Sequence, residues 1–172
     1  GKTTTVTRLL AALISQQPNL RIALAAPTGK AAARLVESIV AAKTKLAETF
    51  PLAEKIPVTS FTLHRLLGWR PDGFSYNHNK TLPYDLVIVD EASMVDLPLL
   101  WRILRIIGDG SLILVGDPAQ LPPIGFGLTF HALCDDLATP HTVLDQVLRQ
   151  TAESGIPKVA EAIRNGDVVD LP

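Results

Sequence analysis

Two adjacent carboxylates, Asp90 and Glu91, directly follow the apolar run Leu86–Val89. Such a run, mostly β-branched, is typical of a short strand that is buried on both faces. An Asp at the end of this strand can hold Mg²⁺, and the Glu beside it can orient the water that attacks a γ-phosphate. This is the Walker B pattern of a nucleotide-hydrolysing α/β domain, although a strand end that is merely capped by acids has the same sequence.

The first residues match the end of a phosphate-binding P-loop, G-x-x-x-x-G-K-[ST]. In that frame Lys2 reaches the β- and γ-phosphates, Thr3 offers a hydroxyl to Mg²⁺, and Gly1 and Thr4 line the nucleotide. Apolar residues then recur at helical spacing, which predicts the P-loop helix (Val6, Leu9, Leu10, Leu13, Ile14). The alternative is a plain helix with a basic start.

The strand that precedes a P-loop, and the first five residues of the loop, are missing from this sequence. Those residues supply most of the backbone amides that hold the phosphates. We therefore expect the chain to be a fragment cut inside its own nucleotide site, which binds nucleotide weakly and hydrolyses it negligibly. We also expect the sheet to have an unpaired edge.

A second polar junction joins the apolar stretch 21–26 to a helix that is predicted over 31–45. A hydroxyl, bare amides, a cation and a helix N-terminus together suit a nucleic-acid phosphate. The residues concerned are Pro27, Thr28, Gly29 and Lys30. The alternative is an ordinary strand-to-helix turn in which Gly29 serves only the geometry.

Thr62 and His64 lie where a short strand is predicted to enter a helix that ends at Gly68. These two side chains and Arg65 are candidates for contact with a strand of nucleic acid. A lone His in a helix is more often a packed residue, so we assign His64 no catalytic role.

Two further polar residues are candidates for the γ-phosphate. Gln120 follows the predicted strand 111–115, and its amide can hydrogen-bond a γ-phosphate or the attacking water. Arg149 is a candidate arginine finger, a residue that raises the rate by about 10³–10⁵ where it acts. The alternatives are a Pro-stiffened surface turn for Gln120 and a solvated charge for Arg149.

Strands that alternate with helices favour a doubly wound α/β fold with a mostly parallel sheet and helices on both faces. A small hairpin excursion is predicted near 69–85, around Asp72-Gly73. The remaining predicted elements are helices over 97–107, 126–136 and 156–165 and a last strand over 142–144.

Length and composition indicate one globular domain, because 172 residues with 47% apolar and 19% charged residues can bury a sizeable core. The lone Cys134 excludes an intrachain disulfide and favours a reduced, cytoplasmic setting. No apolar run approaches the length of a membrane span.

Residues 1–70 carry ten Lys/Arg and three acids, whereas residues 71–172 carry six Lys/Arg and fourteen acids, so the halves have charges of +7 and −8. A basic half suits a polyanion, unless its charges are scattered over solvated faces.

Taken in order, these motifs closely resemble the RecD-like branch of superfamily 1 DNA helicases, which includes the exodeoxyribonuclease V alpha subunit. The resemblance covers essentially the whole chain, 1–172, as a truncated first RecA-like motor domain. The segments that carry it are Gly1–Thr5, Ala26–Ala32, Thr62–Leu67, Asp90–Met94, Gly116–Pro122 and Leu148–Gln150.

The resemblance implies an ATP-driven motor that moves 5′ to 3′ along single-stranded DNA in recombination or repair. It implies ATP and Mg²⁺ as ligands of the P-loop, Asp90, Glu91, Gln120 and Arg149, and a DNA path along 27–30, Thr62 and His64. RecB/RecC-type subunits of a nuclease-helicase complex are implied partners. The second RecA-like domain of that family is not in the sequence, so we expect this chain alone not to unwind DNA.

Three alternatives stay open. A conjugative relaxase has a helicase portion with similar motifs. A P-loop switch or assembly protein binds nucleotide without translocating. The acidic half also leaves room for a chain that serves only as an interaction module. DNA stimulation of the ATPase would separate a motor from a switch.

Overall fold

The computed structural model describes residues 2–144, without the side chain of Thr3, and residues Lys2–His141 form one compact unit. Two 3-10 helices, Ala53–Lys55 and Ala92–Met94, lie between the main elements. The main elements, in chain order, are α1 (Lys2–Gln16), β1 (Ile22–Ala26), α2 (Gly29–Leu46), β2 (Ser60–Thr62), α3 (Leu63–Leu66), β3 (Trp69–Arg70), β4 (Gly73–Phe74), β5 (Leu86–Val89), α4 (Leu97–Ile106), β6 (Ser111–Leu114) and α5 (Thr129–Asp135).

Four of the strands form a parallel sheet in the order β2-β1-β5-β6. The central strands were predicted from their apolar runs, and both are almost wholly buried. The strand predicted over 111–115 is present as β6, but the prediction that it is buried is wrong, because β6 is an end strand of this four-stranded sheet. Ser111 is exposed and the rest of β6 is only half-buried.

Helices cover both faces of the sheet, as predicted. Alternate residues of a strand point to opposite faces, so each central strand contributes to two cores. One core joins α1 and α2 to the sheet through Leu10, Ile39, Leu24 and Ile88. The other joins α3 and α4 to it through residues that include Leu63, Ile103, Ala25 and Val87. The doubly wound α/β prediction is confirmed.

The predicted hairpin excursion is present as the antiparallel pair β3–β4. Its pairing of Arg70 with Gly73 makes Pro71 and Asp72 the two turn residues, so the predicted position of the turn is one residue off. Pro is pre-set for the first position of a turn, which favours this register. The Arg102 guanidinium lies 3.9 Å from the centre of the Phe74 ring, and this stacking ties the hairpin to α4.

Two predictions after residue 120 are wrong. Helix α5 begins at Thr129 and not at Phe126, because the Phe126 carbonyl accepts a bond from Leu97 N–H and Gly127 has a φ of +95°. Residues 142–144 form no strand. The predicted helix 156–165 lies outside the described residues.

A membrane-spanning helix is not found within residues 2–144. The longest helix there, α2, has 18 residues and carries both acidic and basic side chains along its length.

Candidate active site

The parallel sheet brings most of the predicted site residues to one edge. Paired positions in the register are Ala26 with Thr62, Ala25 with Val89, and Val89 with Leu114, so all four strands end at the same level. The residues that follow these ends are aligned along the carboxyl edge, where ligands of open α/β sheets bind. The DNA candidates lie at the β2–β1 half and the nucleotide candidates at the β5–β6 half.

Lys2 begins α1, and its ammonium nitrogen lies 3.8 Å from Glu91 Oε2. The stem of the side chain is partly exposed, but Nζ itself is buried and has no hydrogen-bond partner among the described residues. A buried ammonium with unused donors is costly until an acceptor arrives. Since the N–H groups of a helix start also favour negative charge, this corner fits a phosphate.

Glu91 has a left-handed backbone, with φ 53° and ψ 42°, at the point where β5 ends. Its N–H donates to Asp90 Oδ1 at 2.9 Å, and its carbonyl accepts from Met94 N–H at 3.1 Å. A non-glycine residue in this region costs on the order of 1–3 kcal/mol, and such strain occurs most often at functional sites. The backbone turns so that Glu91 faces Lys2, which the sequence pattern does not reveal.

Asp90 is half-buried and lies at the start of this turn, where its N–H donates to the Ala25 carbonyl at 2.9 Å. Within residues 2–144 no three His, Cys, Asp or Glu side chains are grouped closely enough to hold a metal ion. Mg²⁺ that arrives with a nucleotide needs no such group, because phosphates and waters supply most of its ligands. Asp90 therefore remains the described candidate for the metal.

Gln120 is exposed in the loop after β6, and its amide approaches Asp117 Oδ2 at 3.4 Å. Asp117 also accepts from Ala119 N–H at 3.0 Å, so its carboxylate shapes the loop that carries Gln120. Sequence reasoning assigned Asp117 no role of its own. The sequence could have revealed this role, because an Asp in a loop often accepts a hydrogen bond from the N–H two residues later, which forms an Asx-turn.

Thr28 and Thr62 both cap helices at the carboxyl edge. Thr28 Oγ1 accepts from Ala31 N–H at 3.2 Å and caps α2, and Thr62 Oγ1 accepts from Arg65 N–H at 3.3 Å and caps α3. Each hydroxyl keeps its own proton to donate. The neighbouring Lys30 and His64 side chains are exposed, so the edge presents hydrogen-bonding groups and the Lys30 cation to solvent.

A concavity of about 430 Å³ lies at the opposite edge of the sheet, between residues 17–20 and Asp85. It contains none of the predicted site residues. The candidate site therefore lies at the carboxyl edge of the sheet and not in this concavity.

The model of the AAA domain family matches residues 1–126, which is more than two thirds of the sequence. The chain belongs to the AAA domain family. Its similarity to curated proteins extends over nearly all of its length. It is 43% identical over 176 residues to the RecBCD enzyme subunit RecD of Mycobacterium tuberculosis, with 97% of this chain and 30% of the relative covered. It is 40% identical over 168 residues to the ATP-dependent RecD2 DNA helicase of Deinococcus radiodurans, with 97% and 21% covered.

The fold of this AAA domain is also found in a crystal structure of Bacteroides Pif1 bound to single-stranded DNA. The TM-score is 0.54 at 24% identity, and 98% of this chain and 42% of that chain are covered. The likeness confirms the P-loop NTPase fold, and the curated relatives confirm the predicted RecD-like family. The chain spans less than a third of the length of either of these two curated relatives.

Three predicted site residues of this AAA domain are not tested by the geometry. Gly1, Arg149 and the side chain of Thr3 lie outside the described residues. Thr4 is exposed in the first turn of α1, two residues after Lys2. The described geometry brings together Lys2, Asp90 and Glu91, with the Gln120 loop on the neighbouring strand.

Proposed function

We propose that this chain is part of the first RecA-like motor domain, spanning 1–172, of an ATP-dependent DNA helicase of the RecD type. The observation that carries the proposal is the buried Lys2 ammonium, which has no hydrogen-bond partner within residues 2–144 and lies beside Glu91 at the start of a helix and at the carboxyl edge of the sheet. The helicase named among its relatives supports DNA as the polymer on which the motor moves. By the same resemblance we propose movement 5′ to 3′.

ATP with Mg²⁺ is the proposed ligand of the Lys2 corner. Lys2 binds the β- and γ-phosphates, Gly1 and Thr4 line the nucleotide, and Thr3 and Asp90 hold the metal. Bound Mg²⁺ neutralises phosphate charge and orients the transferred group. Glu91 orients the attacking water, Gln120 senses the γ-phosphate, and Arg149 stabilises the charge that develops on it.

The DNA path is proposed along the β2–β1 half of the same edge. Pro27, Thr28, Gly29 and Lys30 meet one backbone phosphate at the start of α2, and Thr62 and His64 contact the neighbouring nucleotide. The exposure of Lys30 and His64 supports this assignment. Contacts of this kind tolerate any sequence and weaken with salt.

The setting that we propose follows from the relatives. Proteins named as RecBCD subunits support RecB/RecC-type partners and a role in recombination or repair. The single cysteine supports a cytoplasmic location, where thiols stay reduced.

The experiment is the ATPase rate of the full-length protein with and without single-stranded DNA, in the wild type and in Glu91→Gln. We expect strong DNA stimulation that the substitution abolishes, since the amide cannot orient the water as the carboxylate does. Glu37→Gln, at an exposed position of α2, is the matched control and should leave the rate unchanged. Turnover without DNA stimulation would favour a nucleotide switch, and turnover that survives Glu91→Gln would exclude Glu91 as the water-orienting residue.

A further inference from the structure

The loop after β6 packs directly against the segment that carries Glu91. Three hydrogen bonds join them, from Ala92 N–H to the Val115 carbonyl at 2.9 Å, from Leu97 N–H to the Phe126 carbonyl at 2.8 Å, and from Thr129 Oγ1 to the Val95 carbonyl at 3.1 Å. The two segments, 91–97 and 115–129, are therefore held together at both ends.

Gly116 lies at the centre of this contact. A Cβ at this position would be 2.9 Å from the Phe130 ring and 3.1 Å from the backbone nitrogen of Ser93. Phe130 and Ser93 are both buried, so a shift of either must be accommodated by the packing around it. A side chain at residue 116 must displace the Phe130 ring, the backbone of the 3-10 helix Ala92–Met94 at Ser93, or both.

The 3-10 helix that Gly116 touches fixes the backbone of Glu91. Its residue Met94 donates to the Glu91 carbonyl, and its first residue, Ala92, is anchored to Val115. Glu91 keeps a left-handed backbone only because these neighbours hold it there. A displacement of Ser93 by a few tenths of an ångström is therefore passed to Glu91.

We propose that Gly116 is a positioning residue, whose missing side chain lets the Ala92–Met94 helix sit close enough to β6 to aim the Glu91 carboxylate. This proposal deepens the proposed function and rests on it. Gly116 itself touches no nucleotide in this view, and it acts through Ser93 and the Glu91 backbone.

The test is Gly116→Ala in the full-length protein, with ATPase rates measured at saturating single-stranded DNA. A misplacement near 1 Å can cost about 10²-fold in rate, so we expect kcat to fall roughly tenfold or more. We expect KM for ATP to stay within about twofold, because Lys2 and the start of α1 are not in contact with Gly116.

Gly110 provides the matched control, because it lies just before the other end of β6 and is equally crowded. A Cβ there would be 2.7 Å from the Tyr84 carbonyl oxygen and 3.1 Å from the Ile107 carbonyl oxygen. Gly110→Ala should therefore lower thermal stability as Gly116→Ala does, and leave kcat near the wild-type value. Equal loss of kcat in the two variants would reduce the role of Gly116 to general stability and overturn the proposal.

Two double variants distinguish a misplaced Glu91 from general damage to the fold as the cause of the loss in Gly116→Ala. Phe130→Leu removes the ring atoms that a Cβ at residue 116 would strike, so it should restore much of the kcat that Gly116→Ala loses. On a Glu91→Gln background, Gly116→Ala should cause no further loss, since the two changes affect one function. Additive losses would overturn the proposal.

Different results overturn the proposed function and the positioning role of Gly116. Absence of DNA-stimulated ATPase in the wild type, or indifference to Glu91→Gln, would overturn the proposed function. An ATPase that needs Glu91 but tolerates Gly116→Ala would overturn only the positioning role.

Discussion

The Lys2 ammonium and the Glu91 carboxylate lie 3.8 Å apart across the carboxyl edge of the sheet. This distance exceeds the 2.7–3.2 Å typical of a hydrogen bond, so the charges attract without using up the donors of Lys2. Lys2, the cation proposed to bind phosphate, thus lies beside Glu91, the carboxylate proposed to orient the attacking water.

Lys2→Met should reduce both ATP binding and turnover. The substitution keeps the length of the side chain and removes the charge that would face the γ-phosphate. Loss of one preorganised donor to developing charge typically costs about 10²–10³-fold in kcat. The measurement is ATP affinity by a fluorescent analogue and ATPase rate, both in the full-length protein.

Arg8→Met is the control for Lys2→Met, because Arg8 lies on the same helix and is exposed. Arg8→Met should change neither the ATP affinity nor the ATPase rate by more than about twofold, since salt screens the interactions of exposed charges. Equal effects of the two substitutions would show that Lys2 acts only through the general charge of α1.

Lys30→Ala should weaken binding of single-stranded DNA without loss of stability. Lys30 is exposed in the first turn of α2, beside the Thr28 cap. Removal of one phosphate contact should lower the slope of log affinity against log salt by about 0.7. Lys45→Ala, in the last turn of the same helix, is the control and should leave the slope unchanged. A salt slope that is identical in both variants would exclude a phosphate contact at Lys30.

Thr28→Ala should destabilise the fold by about 1 kcal/mol, because the Ala31 N–H loses its acceptor at the start of α2. Thr28→Ser keeps the hydroxyl and should keep most of the stability. Urea unfolding measures both variants. If Thr28→Ser weakened the fold as much as Thr28→Ala, the cap would not be the source of the stabilisation.

The sequence predicts best those features that depend on neighbouring residues. The bounds of α2 and α4 agree with prediction to within about two residues, because Thr28 and Asp96 cap them through local hydrogen bonds. The apolar runs of β1 and β5 predict burial on both faces for the same reason.

The features that the sequence does not predict depend on residues far apart in the chain. The half-burial of β6 depends on its place at the end of the sheet, and the left-handed Glu91 depends on Val115 holding Ala92. Gly116 meets Phe130, 14 residues later, only after α5 packs on the sheet edge. No local pattern records such contacts.

Ser93→Ala should leave stability unchanged or raise it slightly. Ser93 is buried, yet its Oγ has no hydrogen-bond partner among the described residues. A buried hydroxyl without a partner costs about 1–3 kcal/mol in desolvation, and alanine avoids that cost at nearly the same volume. Thermal unfolding tests this, with Thr7→Ala as the contrast, since Thr7 is buried and does have an interaction. A large loss in Ser93→Ala would mean that its hydroxyl is satisfied in solution.

Asp85→Asn should change how stability depends on pH at the acid end. Asp85 accepts bonds from the Arg21 side chain and from its backbone N–H, and these lower the pKa of the carboxyl from its usual value near 3.8 to about 2. A carboxyl with a lowered pKa stabilises the folded state fully above its unfolded pKa. That contribution is lost as the pH falls from about 4 through about 2.

The wild type should therefore lose stability in this pH window relative to Asp85→Asn, and the difference in stability between the two should be constant above about pH 5. Urea unfolding from pH 7 to pH 2 measures this difference, with Asp109→Asn, an exposed carboxylate shortly before β6, as the control. A difference between wild type and Asp85→Asn that stays the same at every pH would contradict the role of the Arg21 pair.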